Sequence, residues 1–222
     1  MTGPETSLHT AIKDFYTGEG DRQEVLVDGY LVDVVSGDLL IEVQTRNFTA
    51  LKSKLTTLLD THPVRLVHPI ALEKWIVRMP GEGNEAIDRR KSPRRGRLED
   101  LFYEMVRIPH LVMNPNFSLE VLLIREEEVR RNDGQGSWRR KGWSITDRRL
   151  LEVIDCVHLD DADQFGQRFL PTALPQPFTN RDFARQAGIP PRLAAKMTYS
   201  LKAMNVIEVV GYKNRSQLFR SL

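Results

Sequence analysis

The first hydrophobic pattern along the chain is that of an amphipathic helix. Leu8, Ile12 and Phe15 recur at helical spacing between residues 7 and 16, and Ser7 stands where a helix cap is expected. The sequence GEGD then interrupts the pattern, because glycine is typical of turns. The pattern therefore predicts a short helix near the start of the chain.

The pattern then changes to apolar runs that are typical of β-strands. The runs at 24–35 and 39–45 predict two strands joined at Ser36-Gly37. Asn47 can cap a helix over 48–60. Within that range, five residues form one apolar stripe that ends before Pro63: Phe48, Leu51, Leu55, Leu58 and Leu59.

The middle of the chain predicts a sheet with helices beside it. VRLVHPI and KWIVRM each read as a strand, LEDLFYEMVRI as an amphipathic helix that ends near Pro109, and FSLEVLLIREEEVR begins as a strand. Its three glutamates, 126–128, are interpreted as a solvated strand end. Residues 80–97 are rich in glycine, proline and charge and predict a loop. ITDRRLLEVIDCVHL fits either a strand or a helix.

A proline-rich stretch divides the chain. Residues 171–178 contain three prolines and predict a linker between a domain at 1–170 and one at 179–222. In the second domain, Thr179 or Asn180 can cap a short helix, and Pro190-Pro191 suits the start of another over 191–204. A hairpin with a basic tip follows. This order resembles a winged helix-turn-helix domain, which implies DNA binding, although winged helices also serve as protein-interaction modules.

The distribution of charge is more informative than its total. The chain has 222 residues, 41% of them hydrophobic and 28% charged, so a globular fold is expected, and its net charge is only +2. Residues 88–97, however, hold six basic residues against one acid, and residues 129–143 hold five against one. Such runs are typical either of a phosphate-backbone partner or of a solvated loop. Trp138 and Trp143 flank the second run and suit base stacking or core anchoring.

The composition also bears on location. No run of about 18 uncharged apolar residues predicts a membrane span, and the first residues lack the pattern of a signal peptide. Cys156 is the single cysteine and cannot form an internal disulfide. We therefore expect a cytoplasmic protein without a membrane partner.

Polar residues interrupt the two apolar strands at Asp33, Glu42 and Gln44. Strand side chains alternate between faces, so a hairpin loop of even length brings the two carboxylates within about 4.5–8 Å, whereas a three-residue loop separates them. Adjacent carboxylates raise each other's pKa unless a cation lies between them, and Mg²⁺ prefers such oxygen ligands. The pattern thus indicates a metal site for phosphodiester hydrolysis. Alternatively, one acid is exposed at a sheet edge and the other binds Lys13 or Arg46.

The spacing Asp33-x8-Glu42-x-Gln44 resembles the motif of the PD-(D/E)XK nuclease superfamily. The setting is similar over roughly residues 7–70: a helix, a hairpin with the acids, an amphipathic helix and a strand. The resemblance implies an α/β fold with a restriction endonuclease-like mixed β-sheet core flanked by helices. It also implies that Asp33 and Glu42 bind Mg²⁺ or Mn²⁺, and that Gln44 positions the attacking water.

Gln44 replaces the lysine that is usual at the third motif position. Glutamine cannot act as a base, so Lys52 or Lys54 on the next helix is expected to contribute, and Lys52 lies nearer the apolar stripe. A further acid often precedes the first motif strand in this superfamily, and Glu24 or Asp28 can serve. His9 on the first helix can also face the site.

The sequence therefore predicts a metal-dependent DNA nuclease whose winged helix and basic loops bind DNA. In the helix over 191–204, Arg192, Lys196 and Ser200 form one polar face. A homodimer would suit cleavage of both strands. The alternatives are a catalytically inactive nuclease-fold DNA-binding or regulatory protein, and a protein-interaction adaptor. The predicted DNA contacts are Arg94, Arg95, Arg97, Arg139, Arg140, Lys141, Arg192, Lys196, Lys213 and Arg215.

Overall fold

A computed structural model describes residues 6–83 and 85–222 and shows a mixed α/β protein. Nine strands are present in these residues: β1 (Arg22–Val27), β2 (Tyr30–Ser36), β3 (Leu39–Val43), β4 (Val64–Met79), β5 (Asp88–Lys91), β6 (Phe117–Asn132), β7 (Trp143–Leu159), β8 (Ile207–Lys213) and β9 (Ser216–Ser221). The first seven form one open sheet in the order β1-β2-β3-β4-β6-β7, with β5 paired to β4. Strands β3, β4 and β6 are parallel, and the other neighbours are antiparallel.

Six α-helices accompany the strands in the described part of the chain. They are α1 (Ser7–Phe15), α2 (Lys52–Leu58), α3 (Phe102–Met105), α4 (Ala162–Phe169), α5 (Asn180–Gln186) and α6 (Pro191–Ala203). Short 3₁₀ segments lie at Phe48–Leu51, Leu98–Leu101, Pro109–Met113 and Trp138–Arg140. None of the helices in residues 6–83 and 85–222 has the length and apolar character needed to cross a membrane.

The cap predicted at Ser7 was wrong, and Asn47 lies at the predicted cap position without making the capping hydrogen bond. Ser7 is the first residue of α1, and its backbone N–H and hydroxyl donate to the carboxylate of Asp147 on β7 at 3.0 and 2.8 Å. A side chain distant in sequence therefore satisfies the helix start. Asn47 lies before the Phe48–Leu51 segment with a φ of +61°, and its side chain makes no capping hydrogen bond.

The predicted strand over 24–35 is in fact two strands. Asp28 and Gly29 have φ angles of +48° and +82° and form the two-residue turn between β1 and β2. Positive φ at both central residues defines a type I′ hairpin turn, for which Asp-Gly is a preferred sequence. The signal for this turn was present in the sequence and was overlooked.

The sheet contains longer strands and one more strand than the sequence predicts in the middle of the chain. VRLVHPI and KWIVRM form one strand, β4, with an irregularity between Ala71 and Glu73. The predicted loop at 80–97 contains β5, and the segment that fitted a strand or a helix is strand β7. β6 pairs with both β4 and β7 over most of its length, so these three strands extend well beyond the end of β3.

The three consecutive glutamates of β6 are buried, so their interpretation as a solvated strand end was wrong. Glu126 and Glu128 lie on one face, 2.7 and 3.1 Å from Lys74 Nζ, and Glu127 receives a hydrogen bond of 2.8 Å from Arg89. Long strands on both sides cover these positions, and the cations offset the loss of hydration.

The two faces of the sheet are covered differently. Leu8 and Ile12 of α1 pack on one face against a small apolar cluster from the central strands: Val34, Ile41, Val43, Val67, Leu122 and Ile124. A larger core covers the other face and includes α2 and α3. This core continues without interruption into the C-terminal segment, where it includes Phe178, Leu193 and Met197.

The C-terminal segment consists of α5, α6 and the β8–β9 hairpin, and it is joined to the proline-rich stretch by backbone pairing. Phe178 exchanges two hydrogen bonds with Phe219 of β9, at 2.9 and 2.8 Å. The hydroxyl of Thr179 caps α5, accepting from Asp182 N–H at 3.3 Å, which decides between the two predicted caps.

The polar face predicted for α6 was partly wrong. Ser200 is fully buried, whereas Arg192 and Tyr199 are exposed and Lys196 is half-buried. The exposed stripe therefore runs through Arg192, Lys196 and Tyr199. Ser200 points into the protein because α6 packs against α3 and the Pro109–Met113 segment.

Candidate active site

The β2–β3 hairpin brings the two predicted carboxylates together. Its loop is Gly37-Asp38, and Ser36 pairs with Leu39. The pairing runs as far as Val34 and Ile41, so Asp33 and Glu42 are the next residues on the two strands, and Asp33 N–H donates to Glu42 Oε1 at 3.4 Å. An even-length loop is the case in which the alternation of side chains puts both acids on neighbouring positions.

The strand pairing is interrupted at Asp33, and this irregularity exposes the carboxylate. Val32 and Val34 pack in cores on opposite faces of the sheet, although alternate residues of a regular strand share a face. Glu24, opposite Asp33 in the β1–β2 register, has a φ of +53°. Instead of a ladder bond, the N–H of Val43 donates to Asp33 Oδ2 at 2.8 Å. The Asp33 side chain therefore lies where β2 and β3 separate.

Glu42 is the more buried acid of the two. Its side chain is 3% exposed, whereas that of Asp33 is 20% exposed. Burial raises the pKa of Glu42 to about 7, the nearby Lys54 ammonium opposes this rise, and the charge of Asp33 adds to it. Lys54 therefore offsets only part of the cost of burying this carboxylate.

Lys54, and not the predicted Lys52, contacts the carboxylate of Glu42. Its ammonium group pairs with Glu42 and also donates to the carbonyl of Leu31. Lys52 lies near His110, whose pKa is lowered by burial and by the charge of that lysine. The 3₁₀ segment before α2 explains the difference, because a tighter turn rotates the following residues relative to a continuous α-helix.

Gln44 is attached to the turn that follows β3. Its backbone N–H donates to the carbonyl of Val67 at 2.8 Å, and its carbonyl accepts from His68 Nδ1 at 2.7 Å. The side-chain amide donates to the carbonyl of Asn47 at 3.2 Å. In this conformation the amide is engaged by the backbone before α2 and not by Glu42.

His9 on α1 completes the surroundings of Asp33. Its Nε2 lies 2.9 Å from the carbonyl oxygen of Val43 and 3.4 Å from Asp33 Oδ2. The carbonyl can only accept, so Nε2 carries the proton of this hydrogen bond. His9 therefore faces the site, in agreement with its expected place on the first helix.

The carboxylates of the two acids considered as a third ligand are engaged by other side chains. Glu24 pairs with Lys13 at 2.9 Å, and Asp28 pairs with His62 at 3.0 Å at the β1–β2 turn. In residues 6–83 and 85–222, no group of three His, Cys, Asp or Glu side chains is arranged to hold a metal ion. A metal ion bound here would have Asp33 and Glu42 as its carboxylate ligands, a number that is usual for Mg²⁺, which takes its other ligands from water and substrate phosphate.

The basic residues divide into neutralised and unbalanced sets. Arg89 and Lys91 of the first basic run pair with Glu127 and Glu73. Arg97 donates from Nη1 to the carbonyl of Gly188 at 2.9 Å, so it connects this run to the turn before α6. Its side chain therefore has a structural contact where a DNA contact was predicted.

Most of the other predicted DNA contacts have no ion-pair partner in the described part of the chain. Only Arg95 approaches an acid, Glu73, at 3.9 Å. No acidic residue occurs on α6, and the hairpin acid Glu208 is paired with Arg220. The unbalanced cations are Arg94, Arg139, Arg140, Lys141, Arg192, Lys196, Lys213 and Arg215.

The burial of Glu42 predicts an unusual dependence of stability on pH. Its folded pKa of about 7 lies above its ordinary value of 4.5, so the unfolded chain releases this proton first as pH rises. The wild-type protein should lose about 3 kcal/mol through this group between pH 4.5 and 7.5. The Glu42→Gln variant lacks this loss, so its free energy of unfolding should improve relative to wild type by that amount over the same range. Urea unfolding without metal at both pH values measures the effect, and equal pH dependence in both proteins would contradict it.

The comparisons with known proteins give the family of the chain. Residues 6–160 match the family described as Domain of unknown function (DUF8091), and the chain belongs to this family. It is 32% identical over 218 residues to an uncharacterised protein of Treponema pallidum (strain Nichols), an alignment that covers 97% of this chain and 85% of that protein. No solved structure matches the chain.

Proposed function

We propose that this protein is a divalent-metal-dependent DNA nuclease with a restriction endonuclease-like core and a C-terminal winged helix. The observation that carries the proposal is the grouping of Asp33, Glu42 and Lys54 where β2 and β3 separate. Two carboxylates that can hold a divalent ion, with an ammonium group beside them, suit metal-assisted phosphodiester hydrolysis.

The order of the elements supports the fold assignment. Helix α1, the antiparallel strands β1, β2 and β3, helix α2 and the parallel strand β4 follow one another as the resemblance to the PD-(D/E)XK superfamily implies. In the C-terminal segment, α5, α6 and the β8–β9 hairpin follow the order of a winged helix, and α4 and the short pairing at Phe178 precede them.

The roles of the residues follow from their positions. Asp33 and Glu42 would hold a Mg²⁺ or Mn²⁺ ion, which polarises the phosphoryl oxygen and lowers the pKa of an attacking water. His9 and the N–H of Val43 keep Asp33 oriented through contacts to its Oδ2. Lys54 supplies the positive charge that the lysine of the motif usually supplies and orients the water or the phosphate.

A catalytically inactive DNA-binding protein is the second candidate. It is favoured by Gln44 in the position of the usual lysine, with its amide engaged by Asn47. The unbalanced cations of α6 and the hairpin tip suit DNA in either case.

The test is cleavage of duplex, single-stranded and branched DNA with Mg²⁺ or Mn²⁺, with EDTA as the control. We expect metal-dependent cleavage of at least one substrate. Salt-dependent binding of the same substrates without cleavage would favour the inactive DNA-binding protein. Absence of both would contradict the nuclease and the DNA-binding proposals and favour a protein-interaction adaptor.

A further inference from the structure

The sheet extends far beyond the candidate active site. β3 ends at Val43, which is paired with Val67 of β4. β4 continues to Met79, which at roughly 3.3 Å per residue carries the sheet about 40 Å further. β5, β6 and β7 accompany it, and we call this part of the sheet the extension. Its far end carries the loop between β6 and β7, residues 133–142, which we call the tip loop.

The extension holds the tip loop by specific contacts. Arg78 of β4 lies over the ring of Trp143, with its guanidinium carbon 5.3 Å from the ring centre. Arg140 Nε donates to the carbonyl of Trp143 at 3.1 Å, and the N–H of Gly136 donates to the carbonyl of Gly142 at 2.9 Å. These contacts attach the backbone of the tip loop to the end of the sheet.

The tip loop displays one aromatic ring among cations. Trp138 is 83% exposed, and Arg139 lies over its ring at 5.4 Å. Arg139, Arg140 and Lys141 have no acidic partner among the described residues, and the acid of the loop, Asp133, accepts a hydrogen bond from Ser144 at 2.6 Å.

The other two tryptophans of the chain differ from Trp138. Trp143 lies beneath Arg78 in the extension. Trp75 lies between Arg89 and Lys91, and both of these cations pair with glutamates. Among the three tryptophans, Trp138 is therefore the one whose ring is exposed beside unbalanced cations. This combination suits a ligand that is both anionic and aromatic.

We propose that the tip loop binds a single-stranded segment of nucleic acid, with Trp138 stacked on an unpaired base and Arg139 and Lys141 on the phosphates. Stacking on an aromatic side chain together with a basic surface is the usual mode of single-strand binding. A lipid surface suits the loop less well, because Trp138 is the one large apolar side chain exposed in residues 133–142. The inference rests on the proposed function and adds to it a second contact, up to about 40 Å from the scissile phosphate.

The test uses binding without cleavage. A fluorescently labelled 20-nucleotide oligo(dT) is titrated with the full chain in EDTA, and anisotropy gives the Kd. Trp138→Leu should weaken binding by roughly 5- to 100-fold, whereas Trp138→Phe, which keeps an aromatic face, should stay within about threefold of wild type. Wild-type affinity in Trp138→Leu would overturn the proposal, because it would indicate a general apolar contact. Equal losses of affinity in both variants would also overturn it, because they would indicate a structural role of Trp138.

Charge and partner class are tested separately. The double variant Arg139→Gln/Lys141→Gln should reduce the slope of log Kd against log salt by about 1.4, and an unchanged slope would contradict the phosphate contacts. Trp138-dependent binding to anionic phosphatidylserine vesicles, without binding to oligo(dT) or oligo(U), would overturn the proposal in favour of a membrane contact. If oligo(dT) binding depends on Trp138 but no DNA is cleaved with Mg²⁺, the tip assignment holds and the nuclease assignment fails.

Discussion

Replacing Asp33 by Asn or Glu42 by Gln is expected to lower metal-dependent cleavage at least about 1000-fold. Both substitutions preserve size and remove the negative charge that holds the ion, and a bound metal ion contributes several kcal/mol of transition-state stabilisation. We expect the clearer effect at Glu42, because Lys54 offsets only part of the cost of burying its carboxylate. Single-turnover cleavage with Mg²⁺ measures the loss.

Glu24→Gln is the matched control for these two substitutions. Glu24 lies opposite Asp33 in the β1–β2 register, but its carboxylate pairs with Lys13. We expect its activity to remain close to wild type. A second readout does not depend on cleavage: Mg²⁺ should raise the thermal midpoint of the wild type and not that of Glu42→Gln. Full activity in Asp33→Asn or Glu42→Gln would remove the site from consideration, and a large loss in Glu24→Gln would return it to the list of acids.

Replacing Lys54 by Met should lower cleavage by about 10²- to 10⁴-fold, the usual contribution of a group that assists proton transfer or orients the nucleophile. Methionine keeps the apolar part of the side chain and removes the ammonium group beside Glu42. The substitution should also increase the repulsion between the carboxylates of Asp33 and Glu42. Metal affinity is therefore measured separately from the cleavage rate at saturating Mg²⁺. A loss that excess metal fully restores would assign Lys54 to charge balance alone.

Lys52→Met is the comparison that the structure suggests. Lys52 lies on the same helix near His110, away from the carboxylates, so its loss should change cleavage by less than about threefold. A strong effect of Lys52→Met together with a weak effect of Lys54→Met would reverse the assignment. The sequence spacing does not show which of the two lysines reaches Glu42, because both are on the first turn of α2.

The acids were predictable because their pairing depends on local rules. A hairpin loop of even length sets Asp33 and Glu42 at neighbouring positions on adjacent strands, although the regular alternation of side chains is interrupted at Asp33 itself. The β1–β2 turn was equally accessible, because Asp28-Gly29 is a preferred sequence for a type I′ turn.

The lysine was not predictable in the same way. The choice between Lys52 and Lys54 depends on how α2 is rotated, and a 3₁₀ segment at its start changed that rotation. Whether Gln44 faces the acids depends on the turn at Asn47, whose carbonyl accepts its amide. Each case turns on a contact with a neighbouring segment, and the side-chain pattern does not encode that contact.

The burial of several polar residues was also not predictable, because segments distant in sequence cover them. Glu126, Glu127 and Glu128 look like a solvated strand end, yet they lie between strands β4 and β7 and pair with Lys74 of β4 and Arg89 of β5, which are far away in sequence. Ser200 looks like part of a polar helix face, yet α6 turns it into the core against α3.

The sequence alone was sufficient to predict the mixed α/β class, the helical and strand periodicities, the carboxylate pair and the regions of excess positive charge. Each of these features depends on residues close together in the chain. The tertiary structure decided which lysine reaches Glu42, that His9 meets Asp33, which cations are neutralised, and that the sheet carries an exposed tryptophan far beyond the site. These outcomes depend on the rotation of helices and on burial by partners distant in sequence, which only the packed chain determines.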